Sequence, residues 1–158
     1  MSITGSSTPQ GTRRLRRGRI SLTNQIYHVT ASTVRREKVF LDFKCGRMLI
    51  ESLRRESQSG RCETLCFMVM PDHLHWLVQI LDGGSLSSCV RNVKSGAARQ
   101  INQLRGTRTR IWQNGYFDHG LRSDEDVIAT ARYIIANPIR AGIVEEVGAY
   151  PLWDAVWV

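Results

Sequence analysis

The segment RCETLCFMVMPDHLHWLVQI, residues 61–80, decides the fold of this 158-residue chain. Its two halves, Arg61 to Met70 and His73 to Ile80, are rich in the apolar, aromatic and β-branched residues that favour strands. Pro71-Asp72 between them is a turn signal. The segment therefore predicts a β-hairpin, around which the other elements can be arranged.

The residues on either side of the hairpin predict a further strand and two long helices. The segment QIYHVTA at 25–31 alternates with the two-residue period of a strand. Apolar residues recur at helical spacing from about residue 41 to 57. A second helical pattern begins after Ser85, a residue type that caps helix N-termini. Its apolar positions are Leu86, Val90, Val93, Ala97, Ile101 and Leu104.

The C-terminal part of the chain adds short strands and a third helix. Strand-like pieces occur at 111–113 and 116–122, and Ser123 is the expected N-cap of a helix that runs to about Ala136. Asn137-Pro138 ends it, because the residue before a proline avoids the helical conformation. The order β-α-β-β-α-β-α favours an α+β fold, a ferredoxin-like antiparallel sheet with helices packed on one face.

Length and composition indicate a single globular domain at 20–158, preceded by a disordered basic arm at 1–19. The longest nearly uncharged apolar stretch, 64–70, is far shorter than the roughly 20 residues of a membrane-spanning helix. No apolar segment follows the N-terminal arginines before Leu22, so no secretory signal is expected. We therefore expect a cytoplasmic protein without membrane contact, whose four cysteines stay reduced.

The charge distribution indicates a polyanionic partner. Lys and Arg number 22 against 14 Asp and Glu, and the excess lies in two segments without acidic residues, 1–19 and 91–110. Nucleic acid is the simplest such partner, and a merely solubilising basic surface is the alternative. The candidate phosphate contacts are Arg13, Arg14, Arg16, Arg17, Arg91, Lys94, Arg99, Arg108 and Arg110.

His73 and His75 form a candidate metal site on the second hairpin strand. Residues two apart on a strand point to the same face, and here that face is less apolar than the opposite one. Two neutral imidazoles in this arrangement can converge on one ion, whereas two ordinary half-exposed histidines are the alternative. The opposite face, expected to be the core face, carries Leu74, Trp76, Val78 and Ile80.

Cysteines do not complete this site in the predicted arrangement. Cys62 and Cys66 on one extended strand would lie about 13 Å apart, too far for both to bind one ion. We therefore interpret them as small buried apolar residues. The two histidines then need an oxygen ligand.

Tyr133 is a candidate nucleophile on the third helix. It projects away from the predicted buried stripe of that helix and has Asn137 as its neighbour four residues on. A phenol can attack once its proton is removed or the attacked centre is polarised, whereas a surface tyrosine at a helix end is the alternative. The predicted buried stripe consists of Val127, Ile128, Ala131, Ile134 and Ile135.

Four segments occur in an informative order: YHVT at 27–30, VMPDHLH at 69–75, IWQ at 111–113 and YIIANPIRAG at 133–142. Together they resemble the REP-associated tyrosine transposases, relatives of the insertion-sequence transposases in the HUH superfamily of single-strand DNA nucleases. The resemblance covers about residues 20–145 and implies the HUH endonuclease fold. The family often has Asn where Asp72 stands here, a difference that a turn tolerates.

The resemblance implies a role for each candidate residue. His73 and His75 would bind Mg²⁺ or Mn²⁺, with Asn137 as a third ligand. Tyr133 would be the nucleophile. The expected function is a single-stranded DNA transposase or endonuclease that cleaves and rejoins hairpin-forming, REP-like DNA through a 5′-phosphotyrosine intermediate, without a nucleotide cofactor and as a monomer rather than a dimer.

Two alternatives remain open at this point. One is a domesticated, non-catalytic protein that binds hairpin nucleic acid without cutting it. The other is a metal-dependent hydrolase that uses an activated water, with Tyr133 in a structural role. A covalent protein-DNA adduct would separate all three.

Overall fold

The computed structural model describes residues 23–122 and 124–157. Five strands form one antiparallel sheet in the order β4-β1-β3-β2-β5, which confirms the predicted α+β fold. The predicted arm at 1–19, with Arg13, Arg14, Arg16 and Arg17, and the predicted cap Ser123 lie outside the described residues. The strands are β1 (Ile26–Ser32), β2 (Cys62–Met70), β3 (His73–Ile80), β4 (Phe117–Gly120) and β5 (Trp153–Ala155).

The predicted hairpin is confirmed and forms the centre of the sheet. β2 and β3 pair antiparallel around the Pro71-Asp72 turn, so that Met70 lies opposite His73. β1 pairs with the other side of β3, and Ser32 lies opposite His73 there. The start of β3 is therefore flanked on both sides, which positions its histidines within the sheet.

In the described part of the chain, four α-helices accompany the sheet: α1 (Phe43–Gln58), α2 (Leu86–Arg105), α3 (Asp124–Ile135) and α4 (Asn137–Arg140). The Ser85 side chain accepts a hydrogen bond from the Ser88 backbone N–H, which confirms the predicted cap of α2. α1 begins two residues later than predicted, because the Asp42 side chain caps it and accepts from the Lys44 N–H.

The two long helices pack together against the Trp76 face of the sheet. In their interface the Ser52 hydroxyl of α1 donates to the Val93 carbonyl of α2 at 2.8 Å. α1 reaches the sheet where Ser57 Oγ lies 2.7 Å from Thr64 Oγ1, the atom that accepts from the Trp76 indole N–H at 2.9 Å. Trp76 is fully buried, so this is the core face that the sequence predicts.

The opposite face of the central strands is also covered, which the sequence does not predict. Met68 and Leu77 are fully buried on that face, and His75 is only 8% exposed. α3 and α4 pack against β2, and the Arg140 guanidinium is close enough to His75 to lower its pKa, after burial and two histidine neighbours. The apolar side chains of this face require a cover, and this helical segment provides it.

The C-terminal half differs from the prediction in detail. Most of the predicted stripe of α3 is at least partly buried, but Ile128, at the edge of the stripe, is 45% exposed. The strand-like piece at 111–113 reduces to a single bridge between Trp112 and Thr33. β5 is unpredicted, because three residues are too few to show a period. Within residues 23–122 and 124–157 no helix has the length and apolar character needed to cross a membrane.

Candidate active site

The two histidines of β3 converge as predicted. His73 Nε2 lies 3.1 Å from His75 Nε2, and the imidazole rings meet edge to face. The His73 side chain is 15% exposed, whereas His75 is almost closed off from solvent. The pair therefore forms the floor of a site that is approached from the His73 side.

An aspartate and an arginine orient His73. Asp72 Oδ1 lies 2.7 Å from His73 Nδ1, and because a carboxylate only accepts, Nδ1 donates this hydrogen bond and Nε2 points away from Asp72. The Arg36 Nε donates to the other carboxylate oxygen at 3.0 Å. Burial favours a higher pKa for Asp72, but hydrogen bonds from His73 and Arg36 outweigh it and hold the pKa below its usual value.

The sequence does not predict this support, because it indicates only a turn at Asp72. Arg36 follows β1 and contacts the turn from a segment in which Arg35 and Arg36 have left-handed φ angles of 52° and 54°. Such angles are unfavourable for residues with a side chain and cluster at functional sites. Periodicity carries no signal for such a turn, so sequence patterns alone would not reveal it.

His75 is oriented by β1. Its Nδ1 lies 3.0 Å from His28 Nε2 and 3.4 Å from Thr30 Oγ1. Burial, with help from the neighbouring His73 and His28, lowers the pKa of His75 to about 3, and burial together with His119 lowers the pKa of His28. The ring of His75 is thus neutral at physiological pH, which is the form that ligates metals.

The arrangement fits a divalent ion. Two nitrogens that each lie about 2.1 Å from one ion at a right angle are about 3 Å apart, close to the observed spacing of the two Nε2 atoms. Among the described residues, no further His, Cys, Asp or Glu joins this pair as a ligand cluster. A third ligand would therefore come from an amide, a water or the substrate, in line with the oxygen ligand expected from the sequence.

Tyr133 is connected to the histidine pair through Arg140. It is 55% exposed, as predicted for a residue opposite the buried stripe of α3. The Arg140 guanidinium lies 3.9 Å from the centre of the Tyr133 ring and donates to the Tyr133 carbonyl at 2.8 Å. The charge of Arg140 also acts on the pKa of His75, so one side chain links Tyr133 with the histidine pair.

Asn137 closes the C-terminal end of α3. Its side-chain nitrogen donates to the carbonyls of Ile134 at 3.0 Å and Tyr133 at 3.3 Å. The amide nitrogen is thus used by the helix end, and the amide oxygen is the atom that suits a metal ion. Asn137 therefore fixes the helix turn that carries Tyr133, whatever its role as a ligand.

The predicted phosphate contacts separate into two groups. Lys94 Nζ donates to the carbonyls of Gln113 at 3.0 Å and Gly115 at 2.7 Å, and Arg110 donates to the Trp112 carbonyl at 2.9 Å. These two cations hold the segment 109–116 against α2, beside a cavity of about 440 Å³. Arg91, Arg99 and Arg108 are exposed.

Comparison with known proteins assigns the chain to a family. Residues 21–137 match the family model of IS200-like transposases. The chain belongs to the IS200-like transposase family. Its members are DNA-processing enzymes, and the resemblance found in the sequence motifs is confirmed.

Curated relatives are REP-associated tyrosine transposases. The chain is 26% identical over 106 residues to that of Escherichia coli K12, covering 66% of this chain and 61% of the relative. It is 28% identical over 99 residues to a candidate one of Haemophilus influenzae, covering 56% of each. The match thus spans little more than half of each relative.

Solved structures show the same fold. A REP-associated tyrosine transposase bound to a REP hairpin superimposes with a TM-score of 0.71 at 23% identity, covering 85% of this chain and 79% of the other. A candidate transposase of Deinococcus radiodurans superimposes with a TM-score of 0.54 at 22% identity, covering 74% of this chain and 93% of the other.

Proposed function

We propose that this transposase-family protein cleaves and rejoins hairpin-forming single-stranded DNA through Tyr133, assisted by a divalent ion at His73 and His75. The observation that carries the proposal is the 3.1 Å approach of the two Nε2 atoms, each with its other ring nitrogen held by a partner. Arg140, which stacks on the Tyr133 ring, also acts on His75 through its charge, and this links the tyrosine to the pair. Two ordinary solvent-exposed histidines would not require partners that fix both imidazole rings.

The reaction is a displacement at phosphorus. When bound, Mg²⁺ or Mn²⁺ would polarise the scissile phosphate and offset the charge on its oxygens. The phenolic oxygen of Tyr133 attacks phosphorus and loses its proton, and the bond from phosphorus to the 3′ oxygen breaks. The leaving oxygen takes a proton, which leaves a free 3′-OH on one DNA segment and a 5′-phosphotyrosine on the other.

The covalent intermediate removes the need for a nucleotide cofactor. One phosphate ester is exchanged for another, so a DNA 3′-OH can attack the phosphotyrosine and reverse the step. Arg140 holds the backbone and ring of Tyr133, while Asn137 fixes the helix end and offers its amide oxygen as a third ligand. The side chains that orient His73 and His75 keep both Nε2 atoms directed to one point.

We further propose REP-like hairpins as the DNA, since a structural relative is described as bound to a REP hairpin. The exposed Arg91, Arg99 and Arg108 suit phosphate contacts, and the arginines at 13–17 would add more. Lys94 and Arg110 would contact phosphate only by exchanging their present loop partners. We propose that the protein acts in the cytoplasm, where its DNA is, and as a monomer.

The test is covalent capture of labelled single-stranded hairpins in Mn²⁺. We expect a protein-DNA adduct with the wild type, its loss in Tyr133→Phe and its retention in Tyr116→Phe, a tyrosine away from α3. Hairpin binding should stay within a few-fold in both variants, because only one oxygen is removed. An adduct of full yield in Tyr133→Phe would contradict the assignment, and hairpin binding without any wild-type adduct would favour the non-catalytic alternative.

A further inference from the structure

A second cluster of ligand-type side chains lies at the other end of the hairpin. Glu56, Cys62 and Cys89 each direct one ligand atom into the cluster, and these atoms all lie within 4.8 Å of one another. They come from the end of α1, the start of β2 and the first turn of α2. The exposed fractions are 5%, 1% and 0%, so the cluster is enclosed.

The cluster is independent of the histidine site. Cys62 lies opposite Ile80 at the end of β3, whereas His73 begins that strand. Seven residues of strand separate the two positions by about 23 Å. The spacing of Cys62 and Cys66 along one strand does not reveal it, because the second thiol comes from α2 instead.

We infer that Glu56, Cys62 and Cys89 form a binding site for one thiophilic divalent cation of the zinc class. Two sulfurs and one carboxylate oxygen are three of the four ligands that tetrahedral Zn²⁺ takes in proteins, and a water molecule completes the set. Soft thiolate ligands disfavour Mg²⁺, so this site and the histidine site select different ions.

Charge balance supports the inference. The Arg61 guanidinium already neutralises Glu56, at 3.3 Å and 3.4 Å from its two oxygens. Binding forms two metal-sulfur bonds and releases two thiol protons, so the ion replaces two protons and the net buried charge is unchanged. A buried site that stays neutral avoids the large cost of an uncompensated charge.

The local hydrogen bonds prepare the ligands. The Asn92 amide donates to Glu56 at 3.3 Å, which orients the carboxylate. The sulfurs of Cys62 and Cys89 lie within 4.8 Å of each other, and this contact together with burial raises the pKa of the Cys62 thiol. Both thiol protons are displaced as the ion binds.

The ion would join three elements that otherwise meet through side-chain packing and a few hydrogen bonds. Ligands from α1, β2 and α2 would be held at bond distance, and a ligand bound only by the folded state raises its stability. The structural consequence is a higher unfolding temperature in the presence of the ion. Neither Tyr133 nor the histidines take part, so the inference stands apart from the proposed DNA chemistry.

The test is titration of the reduced full chain with Co²⁺ and Zn²⁺ in a background that carries His73→Ala and His75→Ala. We expect one equivalent of Co²⁺ to produce a thiolate-to-cobalt charge-transfer band, which Zn²⁺ displaces. Binding should release two protons and strengthen about a hundredfold per pH unit while both thiols are protonated. Cys62→Ala and Cys89→Ala should lose the band, and Cys45→Ala and Cys66→Ala, buried thiols outside the cluster, should keep it.

Several outcomes would overturn the inference. They are the absence of a charge-transfer band, a band that survives in Cys62→Ala, and a release of fewer than two protons. Circular dichroism of each metal-free variant checks folding. Should an alanine variant fail to fold, alkylation of the parent chain decides: protection of two of the four thiols by Zn²⁺ supports the site, and no protection contradicts it. Glu56→Gln, which keeps both thiols, should weaken binding at least tenfold.

Discussion

The two ends of the β2-β3 hairpin carry ligand-type side chains in opposite settings. At the histidine end, His73 is partly exposed. Asp72 in the turn orients the His73 ring, and His28 of β1 orients the His75 ring. At the thiol end, Glu56, Cys62 and Cys89 are enclosed, and Arg61 balances their charge. The difference teaches that one strand pair can carry a partly exposed pair of ligand-type side chains at one end and take part in an enclosed cluster of them at the other.

The sharpest test of the comparison removes a ligand at the histidine end. His75→Ala should abolish Mn²⁺-dependent cleavage, because one of two protein nitrogens is lost. It should also lower the free energy of unfolding by about 1–3 kcal/mol, since His28 loses a buried partner. Single-turnover cleavage and urea unfolding measure the two effects. His119→Ala, an exposed histidine of β4, is the control.

Full cleavage activity in His75→Ala would contradict the comparison, because it would show that the histidine end is structural, like the thiol end. In that case adduct formation by Tyr133 would have to proceed without this ligand pair.

The next largest effect is expected when the side chains that support His73 are disturbed. Arg36→Ala should weaken Mn²⁺ binding about 10–100-fold, because Asp72 loses the partner that holds its carboxylate against His73. Arg35→Ala is a matched control, since the neighbouring arginine is exposed and pairs only at 3.8 Å with Glu37. Mn²⁺ titration followed by electron paramagnetic resonance measures the affinity, and equal affinities in the two variants would show that the turn does not orient the ligand.

The pH dependence of stability comes from the buried imidazole. The pKa of His75 is lowered to about 3 in the folded protein, below its unfolded value of about 6.5. The unfolded state therefore binds more protons between these values, and the free energy of unfolding falls as pH drops below about 6.5. The loss should be on the order of 2 kcal/mol by pH 5.

Denaturant unfolding in chelator across that pH range measures this loss. His75→Gln, which cannot titrate, should flatten the profile, whereas Cys89→Ala at the thiol end should leave its shape unchanged. An equally steep profile in His75→Gln would assign the pH dependence to other groups.

The smallest expected effect concerns which surface meets DNA. Replacing Arg91, Arg99 and Arg108 with alanine should flatten the log-log salt dependence of single-strand binding by about 0.7 per lost contact, or about two units in all. Arg54→Ala, an exposed α1 arginine paired with Glu51, is the control. Fluorescence anisotropy at several salt concentrations measures the slope, and an unchanged slope in the triple variant would move the DNA path toward the arginines at 13–17.

The sequence predicts the elements whose residues repeat. The hairpin, β1, the two long helices and the exposed position of Tyr133 are confirmed, because periodicity reports which side chains must be buried. The convergence of His73 and His75 is confirmed for the same reason, since a strand places both rings on one side.

What the sequence does not predict depends on partners that are distant along the chain. The burial of His75 requires the apolar neighbours Met68 and Leu77 and a cover from a later helical segment. The contact of Arg36 with Asp72 involves two residues with left-handed backbone angles, and the meeting of Cys62 with Cys89 requires two elements to pack first. None of these contacts follows from a regular spacing of residues along the sequence.

The wide sequence separation of the histidine contacts has a consequence for the order of folding. Arg36 and Asp72 are 36 residues apart, and His28 and His75 are 47 apart, whereas the hairpin strands are joined by a two-residue turn. Closing long loops is slower than closing a tight turn, so we expect the hairpin to form before β1 docks. The thiol cluster also waits for α2 to pack, but His73 and His75 stand on the hairpin from the start. His73 and His75 acquire their orienting partners only when β1 docks, so a nascent chain would carry both histidines before their rings are oriented.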